Sequence, residues 1–530
     1  MVVPELRPWR AARPHVARAA GAVRPRLVRV ARAARPRVAW FARATTPRLT
    51  RITGPKTWQY TAGAATAGLA LAAGVVTAAG PWDSTGQRTA ERDRAVALGG
   101  AGGTDHGSGS TGSGTTPGAP RPAPSAAAVL AGLGGTGGVG PAPHGPALAE
   151  ALEPLMTDPA LGSRHAASVV DLATGKRLYG TAVGAPLTPA STTKIATAVA
   201  ALTALGPDHR LTTRTALAPD TGELVLVGGG DPLLTARADA RGLADLRTLA
   251  DRTAAALKQR DLHQVTLSYD TTLYAGDAKH PIGVNPNLAP VTALMVDEAR
   301  PDDSTRGQVE RAPDPADAAA RTFAGLLAEH GIGTTPPGPS KATNRAETLA
   351  TVSSPPLSAL VERMLTNSDN DLAEALARHT ALATGKRADF AGAAAAVEAR
   401  LEQLGIPLTG VEVRDGSGLD RTARLTADVL TSLLVKAADP AHPELRPVLT
   451  GLPVAGFTGT LSDRYDDGAA GVVRAKTGTL TGVNTLAGTV VTRDGRALAF
   501  AFLSNGTASV PAARSTLDDL ATTLADCGCT

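Results

Sequence analysis

The sequence predicts an α+β fold in which helices pack on an antiparallel sheet. The globular part opens with two short strands joined by the turn-forming pair Thr174-Gly175, and an apolar helix follows. It closes with strands on either side of the turn Arg493-Asp494-Gly495 and with a last helix. Short strands and helices in separate runs are typical of the α+β class. The predicted elements of the two ends are strands 165–171, 177–179, 472–479, 485–492 and 496–504 and helices 191–202 and 510–524.

Between these ends the pattern of predicted secondary structure changes twice. Residues 212–355 contain short strands and a helix over 315–331, so we expect one or two small inserted domains there. Residues 356–437 are mainly helical, with Thr426 as a helix cap. The sequence therefore predicts a catalytic domain made of 147–211 and 356–526, interrupted by the insertion.

The formal charge of +5 is concentrated in the first 56 residues, which hold 13 Arg and one Lys against the single acid Glu5. Seven prolines interrupt any helix in this tail, so we expect it to be disordered. Because the remaining chain is net acidic, the charge gives no argument for a nucleic-acid-binding domain. We expect no nucleic acid partner.

Residues 57–82 form an uncharged run with Trp58, Tyr60 and Trp82 near its ends. Its length and aromatic ends predict a transmembrane signal anchor, with 1–56 in the cytoplasm and the catalytic part outside. Its many Ala and Gly residues leave cleavage as a signal peptide open. In both cases the globular part is exported, and the Gly-, Ser- and Pro-rich residues 83–146 are predicted to be a flexible linker.

The tail 527–530 contains the two cysteines, Cys527 and Cys529. Outside the cytoplasm disulfides persist, but one intervening residue makes a local bond strained. A local disulfide, two free thiols and a bridge to another chain all remain open.

Ser191 and Lys194 stand three residues apart at the start of an apolar helix. Positions i and i+3 share a helix face with Cβ atoms roughly 5–6 Å apart, so the amine reaches the hydroxyl. The free N–H groups and the dipole of the helix start stabilise negative charge on that oxygen. The pair is a candidate nucleophile and base, although the pattern alone is common.

Two further motifs follow in order: Ser368-Asp369-Asn370 where a loop or helix start is expected, and Lys476-Thr477-Gly478 on a predicted strand. Together the three are typical of serine acyl-transferases that handle penicillin. An activated hydroxyl needs a neutral amine, so we expect burial and the neighbouring Lys476 to lower the pKa of Lys194.

The remaining motif residues have chemical types that suit the rest of an acyl transfer. Ser368 can pass a proton to the leaving nitrogen, and Asn370 can hold Lys194 and the substrate amide. Lys476 with Thr477 or Thr479 suits a terminal carboxylate, while Gly478 would let the substrate backbone approach the strand. The backbone N–H groups of Ser191 and Thr479 are the predicted oxyanion hole.

No spacing typical of a metal site occurs in the sequence. His263, His280 and His330 are scattered, and we expect each at the surface. The glycine run Gly228-Gly229-Gly230 lacks the Lys-Ser/Thr of a phosphate-binding loop and predicts a tight turn. We therefore expect neither a metal nor a cofactor.

Residues 147–526 resemble the class C penicillin-binding proteins, which are D-alanyl-D-alanine carboxypeptidases and endopeptidases of peptidase family S13, numbered four in Gram-negative bacteria, here in an actinobacterial form. Besides the three motifs, the resemblance rests on Gly228-Gly229-Gly230-Asp231-Pro232, Asp415-Gly416-Ser417-Gly418-Leu419, Leu452-Pro453-Val454-Ala455-Gly456 and Gly459-Thr460-Leu461. It implies the penicillin-binding, serine β-lactamase-like transpeptidase fold, with helices on both faces of the sheet, an all-helical part and a large insertion between the first two motifs.

The resemblance also implies peptidoglycan stem peptides ending in D-Ala-D-Ala as substrates, an acyl-enzyme on Ser191 and covalent inhibition by β-lactams. A serine β-lactamase shares the three motifs, but no Glu-x-x-Leu-Asn lies between Ser368 and Lys476, and the insertion is long for such an enzyme. An inactive β-lactam-sensing or wall-binding module is the other alternative, against which the intact motifs argue.

Overall fold

The computed structural model describes residues 145–465 and 468–527. The predicted tail 1–56, the anchor 57–82, the linker up to residue 144 and Cys529 lie outside the described residues. Within those two ranges, none of the helices combines the length and apolar character that a membrane span requires. Cys527 is buried and disulfide-bonded.

The structure has ten α-helices and eleven strands in its described part. In chain order they are α1 (Gly145–Met156), β1 (Arg164–Asp171), β2 (Arg177–Thr181), α2 (Thr193–Leu205), β3 (Thr212–Leu217), β4 (Glu223–Val227), α3 (Leu246–Lys258), β5 (Gln264–Asp270), α4 (Pro315–Glu329), β6 (Gly333–Thr334), β7 (Gly338–Pro339), β8 (Glu347–Ser353), α5 (Leu357–Asn367), α6 (Asn370–Ala383), α7 (Phe390–Gln403), α8 (Ala427–Ala438), α9 (Arg446–Thr450), β9 (Val473–Leu480), β10 (Val483–Val491), β11 (Ala497–Asn505) and α10 (Val510–Asp526).

The first sheet has the strand order β2-β1-β11-β10-β9 and is antiparallel throughout. Its strands come from the two ends of the globular part, as predicted. Along β11 the side chains alternate: Phe500 and Phe502 pack with α1 and α10, whereas Ala499 and Ala501 face α2 and the other central helices. Helices therefore cover both faces, and the small residues let α2 lie close to the sheet.

The second sheet lies within 212–353 and has the strand order β6-β5-β4-β3-β8, with β7 also paired to β5. β3 runs antiparallel to β4 and β8, but β4, β5 and β6 are parallel. Parallel neighbours need a crossover connection, which α3 and α4 provide. The helices share with this sheet a core around Leu249, Leu267 and Phe323. The sequence pattern predicted α4, but α3 and the parallel pairing were not predicted.

Local predictions hold to within a few residues. The helix predicted from Ser191 begins as a 3₁₀ turn, Ala190–Thr192, and continues as α2. Thr426 caps α8, its hydroxyl accepting a hydrogen bond from the Val429 N–H at 3.1 Å. At the glycine run, a Cβ on Gly229 would lie 2.1 Å from the Thr212 carbonyl oxygen, because two backbone segments meet there.

Candidate active site

Ser191 lies in the 3₁₀ turn between the first sheet and α2, at the wall of a cavity of about 820 Å³. The preceding Ala190 has a φ of 48°, which is uncommon for a residue with a side chain. Its carbonyl oxygen accepts a hydrogen bond from the Thr193 hydroxyl at 2.9 Å. This turn leaves Ser191 half-buried at the start of the helix, where the sequence placed it.

Lys194 is fully buried one turn below Ser191. Its Nζ donates to Ser191 Oγ at 3.2 Å, to Asn370 Oδ1 at 2.6 Å and to the Ser417 carbonyl oxygen at 2.7 Å. Burial lowers the pKa of Lys194 to about 8, although Asp415 and Glu374 act to raise it. A substantial fraction of the amine is therefore neutral near pH 8, as a general base requires.

The second motif occupies the junction of two helices. α5 ends at Asn367, Ser368 adopts a left-handed φ of 57°, and the Asp369 carboxylate caps α6 by accepting from the Leu372 N–H at 3.0 Å. Asn370 then begins α6 and donates through Nδ2 to the Asn287 carbonyl oxygen at 2.9 Å. The Ser368 side chain lines the same cavity as Ser191.

The third motif lies on β9, the edge strand of the first sheet. Thr477 and Thr479 line the cavity. Lys476 is fully buried and donates to the Thr477 carbonyl oxygen at 2.7 Å. Burial and the neighbouring Lys194 hold the pKa of Lys476 well below its ordinary value. For Lys194 the predicted effect of burial is confirmed, since burial lowers its pKa; the charges that act most strongly on it are carboxylates, which raise that pKa.

Gly478 makes a close contact within the protein, while its predicted approach to the substrate backbone remains a prediction. A Cβ at this position would lie 2.1 Å from Thr485 Oγ1 and 2.8 Å from the Pro189 carbonyl oxygen, two atoms that are hydrogen-bonded to each other at 2.9 Å. The glycine therefore lets the edge strand pack against the Ser191 turn. The close approach that it permits is within the protein.

The hydroxyls beside Gly478 have partners among the other residues that line the cavity. Thr477 donates to Thr460 Oγ1 at 2.9 Å, and Arg514 donates to Thr479 Oγ1 at 3.3 Å. Ser191 and Thr479, the predicted oxyanion donors, both line the cavity. The role of their N–H groups remains a prediction.

Sequence reasoning missed the support of Lys194. The Ser417 carbonyl of the loop Asp415–Gly418 holds the lysine amine. Behind the loop stand Glu374 and His280, both buried. The prediction that His280 is a surface residue was wrong, because it hydrogen-bonds Asp415 at 3.0 Å inside the protein. Asp415, the acidic first residue of the Asp-Gly-Ser-Gly motif, was the only feature of the sequence that indicated this support of Lys194.

A second group of missed residues comes from the chain between the first two motifs. Polar and basic residues there line the same cavity as Ser191: Asn287, Arg300, Arg306, Gln308 and Arg311. Arg311 pairs with Asp371 at 3.2 Å, next to Asn370. No spacing in the sequence linked these residues to the motifs, since only folding brings them together.

Two buried groups in the described ranges have donor atoms close enough for a metal ion: His280, Glu374 and Asp415, and Glu298, Asp369 and Asp371. In the first, the carboxylates already accept backbone N–H groups and the imidazole. In the second, arginines pair with all three acids. The carboxylates of both groups are therefore held by hydrogen bonds or ion pairs within the protein.

The sheet has helices on both faces, and a half-buried serine is paired with a buried lysine beside an asparagine and an edge strand. These features define a serine enzyme of the penicillin-binding class. Residues 148–310 and 301–526 match the D-Ala-D-Ala carboxypeptidase 3 (S13) family. The chain belongs to this family, and it is a serine D-Ala-D-Ala peptidase that acts on peptidoglycan.

Individual relatives agree with the family assignment. A carboxypeptidase of Mycobacterium tuberculosis is 36% identical over 430 residues, which is 78% of this chain and 91% of the relative. Penicillin-binding protein 4 of Haemophilus influenzae has the same fold, with a TM-score of 0.58 at 23% identity over 72% of this chain and 98% of its own. A structure of that protein in complex with a β-lactam matches with a TM-score of 0.56 at 22% identity over the same shares.

Proposed function

We propose that this enzyme works through an acyl-enzyme on Ser191, with Lys194 as the base. The observation that carries the proposal is the position of the Lys194 amine, which lies within hydrogen-bond distance of both Ser191 Oγ and Asn370 Oδ1. A neutral Lys194 accepts the Ser191 proton as the oxygen attacks the carbonyl carbon of the penultimate D-Ala. The tetrahedral oxyanion is held by the N–H groups of Ser191 and Thr479.

Collapse of that intermediate needs a proton on the leaving nitrogen. Ser368, which lines the same cavity as Ser191, donates its hydroxyl proton to the nitrogen and regains one from the protonated Lys194, and the terminal D-Ala departs. Asn370 keeps the Lys194 amine aimed at Ser191 and offers its amide to the substrate. Water then attacks the acyl-enzyme, with the same lysine as base, and frees Ser191.

The third motif recognises the end of the peptide. In the proposal, Thr477 and Thr479 donate hydrogen bonds to the terminal carboxylate, and the electrostatic field of Lys476 favours its approach. Gly478 permits this by holding the edge strand close to the Ser191 turn. A β-lactam carries a similar carboxylate, so we expect it to acylate Ser191 and inhibit the enzyme.

The domain plan is part of the same proposal. Residues 147–211 and 356–526 form the catalytic domain and 212–355 the insertion. We further propose that residues 57–82 anchor the exported protein to the cell membrane, with the linker giving the catalytic part its reach into the wall. Extraction of the full-length protein by detergent but not by high salt tests the anchor.

Digestion of muropeptides with the purified globular part, read by mass spectrometry, tests the activity. Loss of one D-Ala from pentapeptides marks carboxypeptidase action, and separation of cross-linked dimers marks endopeptidase action. Ser191→Ala should abolish both and also labelling by fluorescent penicillin. Labelling of Ser191→Ala at the wild-type rate would refute the assigned nucleophile. Penicillin binding without any muropeptide product would point to a sensor, and rapid turnover of a chromogenic cephalosporin to a β-lactamase.

A further inference from the structure

His280 is buried in the chain between the first two motifs, yet it contacts the support of the candidate base. The residue is 4% exposed, and Nε2 lies 3.0 Å from Asp415 Oδ2. The other nitrogen, Nδ1, accepts the Ile282 N–H at 3.2 Å. Because Nδ1 is an acceptor, the ring proton is on Nε2, and His280 donates to Asp415. Phe390 packs edge-on against the ring, with centroids 4.9 Å apart.

Asp415 and Glu374 fix the loop that follows. Asp415 accepts the N–H groups of Gly418 at 2.6 Å and Asp420 at 2.7 Å. Glu374 accepts those of Gly416 at 3.1 Å and Ser417 at 2.9 Å. With these N–H groups held, the Ser417 carbonyl points at Lys194 Nζ, 2.7 Å away.

A second carbonyl ties the loop to the catalytic helix. The Thr197 hydroxyl on α2 donates to the Gly416 carbonyl oxygen at 2.7 Å. The path from the imidazole to the candidate base thus runs from His280 to Asp415, whose Oδ2 accepts the Ser417 hydroxyl at 3.4 Å, and from the Ser417 carbonyl to Lys194. Every step is a hydrogen bond among fully or nearly fully buried groups, where such bonds are strong and their loss is costly.

We propose that His280 is a positioning residue for the reaction: its hydrogen bond to Asp415 holds the carboxylate and the loop in place, so that the Ser417 carbonyl fixes the position of the Lys194 amine. The inference rests on the proposed role of Lys194 as base. The chain between the first two motifs, which contains His280, would then contribute to the reaction at Ser191.

The charges around these groups indicate the direction of the effect. Although burial acts to raise it, the His280 hydrogen bond holds the pKa of Asp415 below its ordinary value. Burial and Asp415 raise the pKa of Glu374. Without His280 one of the two carboxyls would take up a proton. The other charged groups that face Lys194 are Asp369, Asp371 and Lys476, and those near His280 are Asp420 and, through Glu374, Arg378.

These charges determine the direction in which the pKa of Lys194 should shift. Losing one carboxylate charge removes an influence that raises the pKa of Lys194, so that pKa falls below about 8. The amine is then neutral at lower pH. If the base must be neutral, the acid limb of the acylation rate moves to lower pH, while the rate at the plateau falls because the loop is less well held.

The test is the second-order rate of acylation by fluorescent penicillin, measured from about pH 5.5 to 9.5 on the globular protein. The variant His280→Phe keeps a ring against Phe390 but loses the donor. In His280→Gln the side-chain amide can still donate to Asp415. The matched control is His263→Phe, at an exposed histidine of the insertion.

We expect the acid limb of the wild-type acylation rate near pH 8. In His280→Phe this limb should lie about 0.5–1 pH unit lower. In His280→Gln and in the control it should stay at the wild-type position. The plateau rate of His280→Phe should fall about 10- to 100-fold. An unmoved or upward-shifted limb in folded His280→Phe overturns the inference.

If melting curves reveal that His280→Phe does not fold, Asp415→Asn decides the question, since it removes the charge directly and should shift the limb in the same direction. An unmoved limb there overturns the inference as well. A wild-type protein that penicillin does not acylate would instead refute the proposed function, and the inference with it.

Discussion

The two sheets of this protein contribute differently to its active site. The first is antiparallel and joins strands from the two ends of the globular part, with Arg164 opposite Asn505 and Asp171 opposite Leu498. The second lies within 212–353 and contains parallel strands linked by α3 and α4. The first carries two of the three motifs at or beside its edge strand, and the second has its own separate core. The reaction therefore depends on the first sheet, while the chain around the second supplies residues that line the same cavity.

The largest expected effect is at the base. Lys194→Met preserves much of the buried volume but removes the amine that contacts Ser191 and Asn370. We expect penicillin acylation to slow by roughly 10³–10⁴-fold. Lys258→Met, at an exposed lysine at the end of α3, is the control from the second sheet and should leave the rate unchanged. Stopped-flow acylation kinetics would measure both, and equal rates for the two variants would contradict the role of Lys194.

The next effect is at the contact between the edge strand and the serine turn. Gly478→Ala places a Cβ where Thr485 Oγ1 and the Pro189 carbonyl now meet. The strand must move away from Ser191, so we expect acylation to fall about 100-fold with a folded protein. A wild-type rate would mean that the position of β9 relative to the turn is unimportant for the reaction.

The second sheet should affect the stability of the protein much more than its acylation rate. Phe323→Ala empties a fully buried site between α4 and that sheet, and should cost about 3–5 kcal/mol of unfolding free energy there. We expect acylation at low temperature to stay within about threefold of wild type, since the catalytic core is separate. Phe500→Ala, at an equally buried site in the first sheet, should lower both stability and acylation. Calorimetry and labelling distinguish the two, and equal loss of labelling would refute the division.

The smallest effect is a gain. Gly325 is inside α4, and an added Cβ there would meet no atom within 4 Å. Gly325→Ala should therefore stabilise the protein by about 0.5–1 kcal/mol through the reduced entropy of the unfolded chain. Thermal melting would detect this, and acylation should not change. A loss of stability would mean that the helix face carrying Gly325 has a contact that the fold does not reveal.

Much of this site could be predicted from the sequence because its signals are local. A serine and a lysine at i and i+3 share a face wherever a helix forms, and Ser368–Asn370 lies where two helix patterns break. The strands around the turn 493–495 pair because their ends are adjacent in the chain. Three such motifs in order were enough to indicate the class of enzyme.

Only the tertiary structure decided the rest. His280 reaches Asp415 across 135 residues, and Gly478 meets Pro189 through the closing of the sheet. The pKa of Lys194 depends on how completely the fold buries it and on carboxylates far away in sequence. Sequence patterns report local geometry, because side-chain periodicity is a property of single helices and strands. Burial and long-range charge interactions arise only when those elements pack. The tertiary structure therefore determines the pKa values of the residues that the motifs indicated.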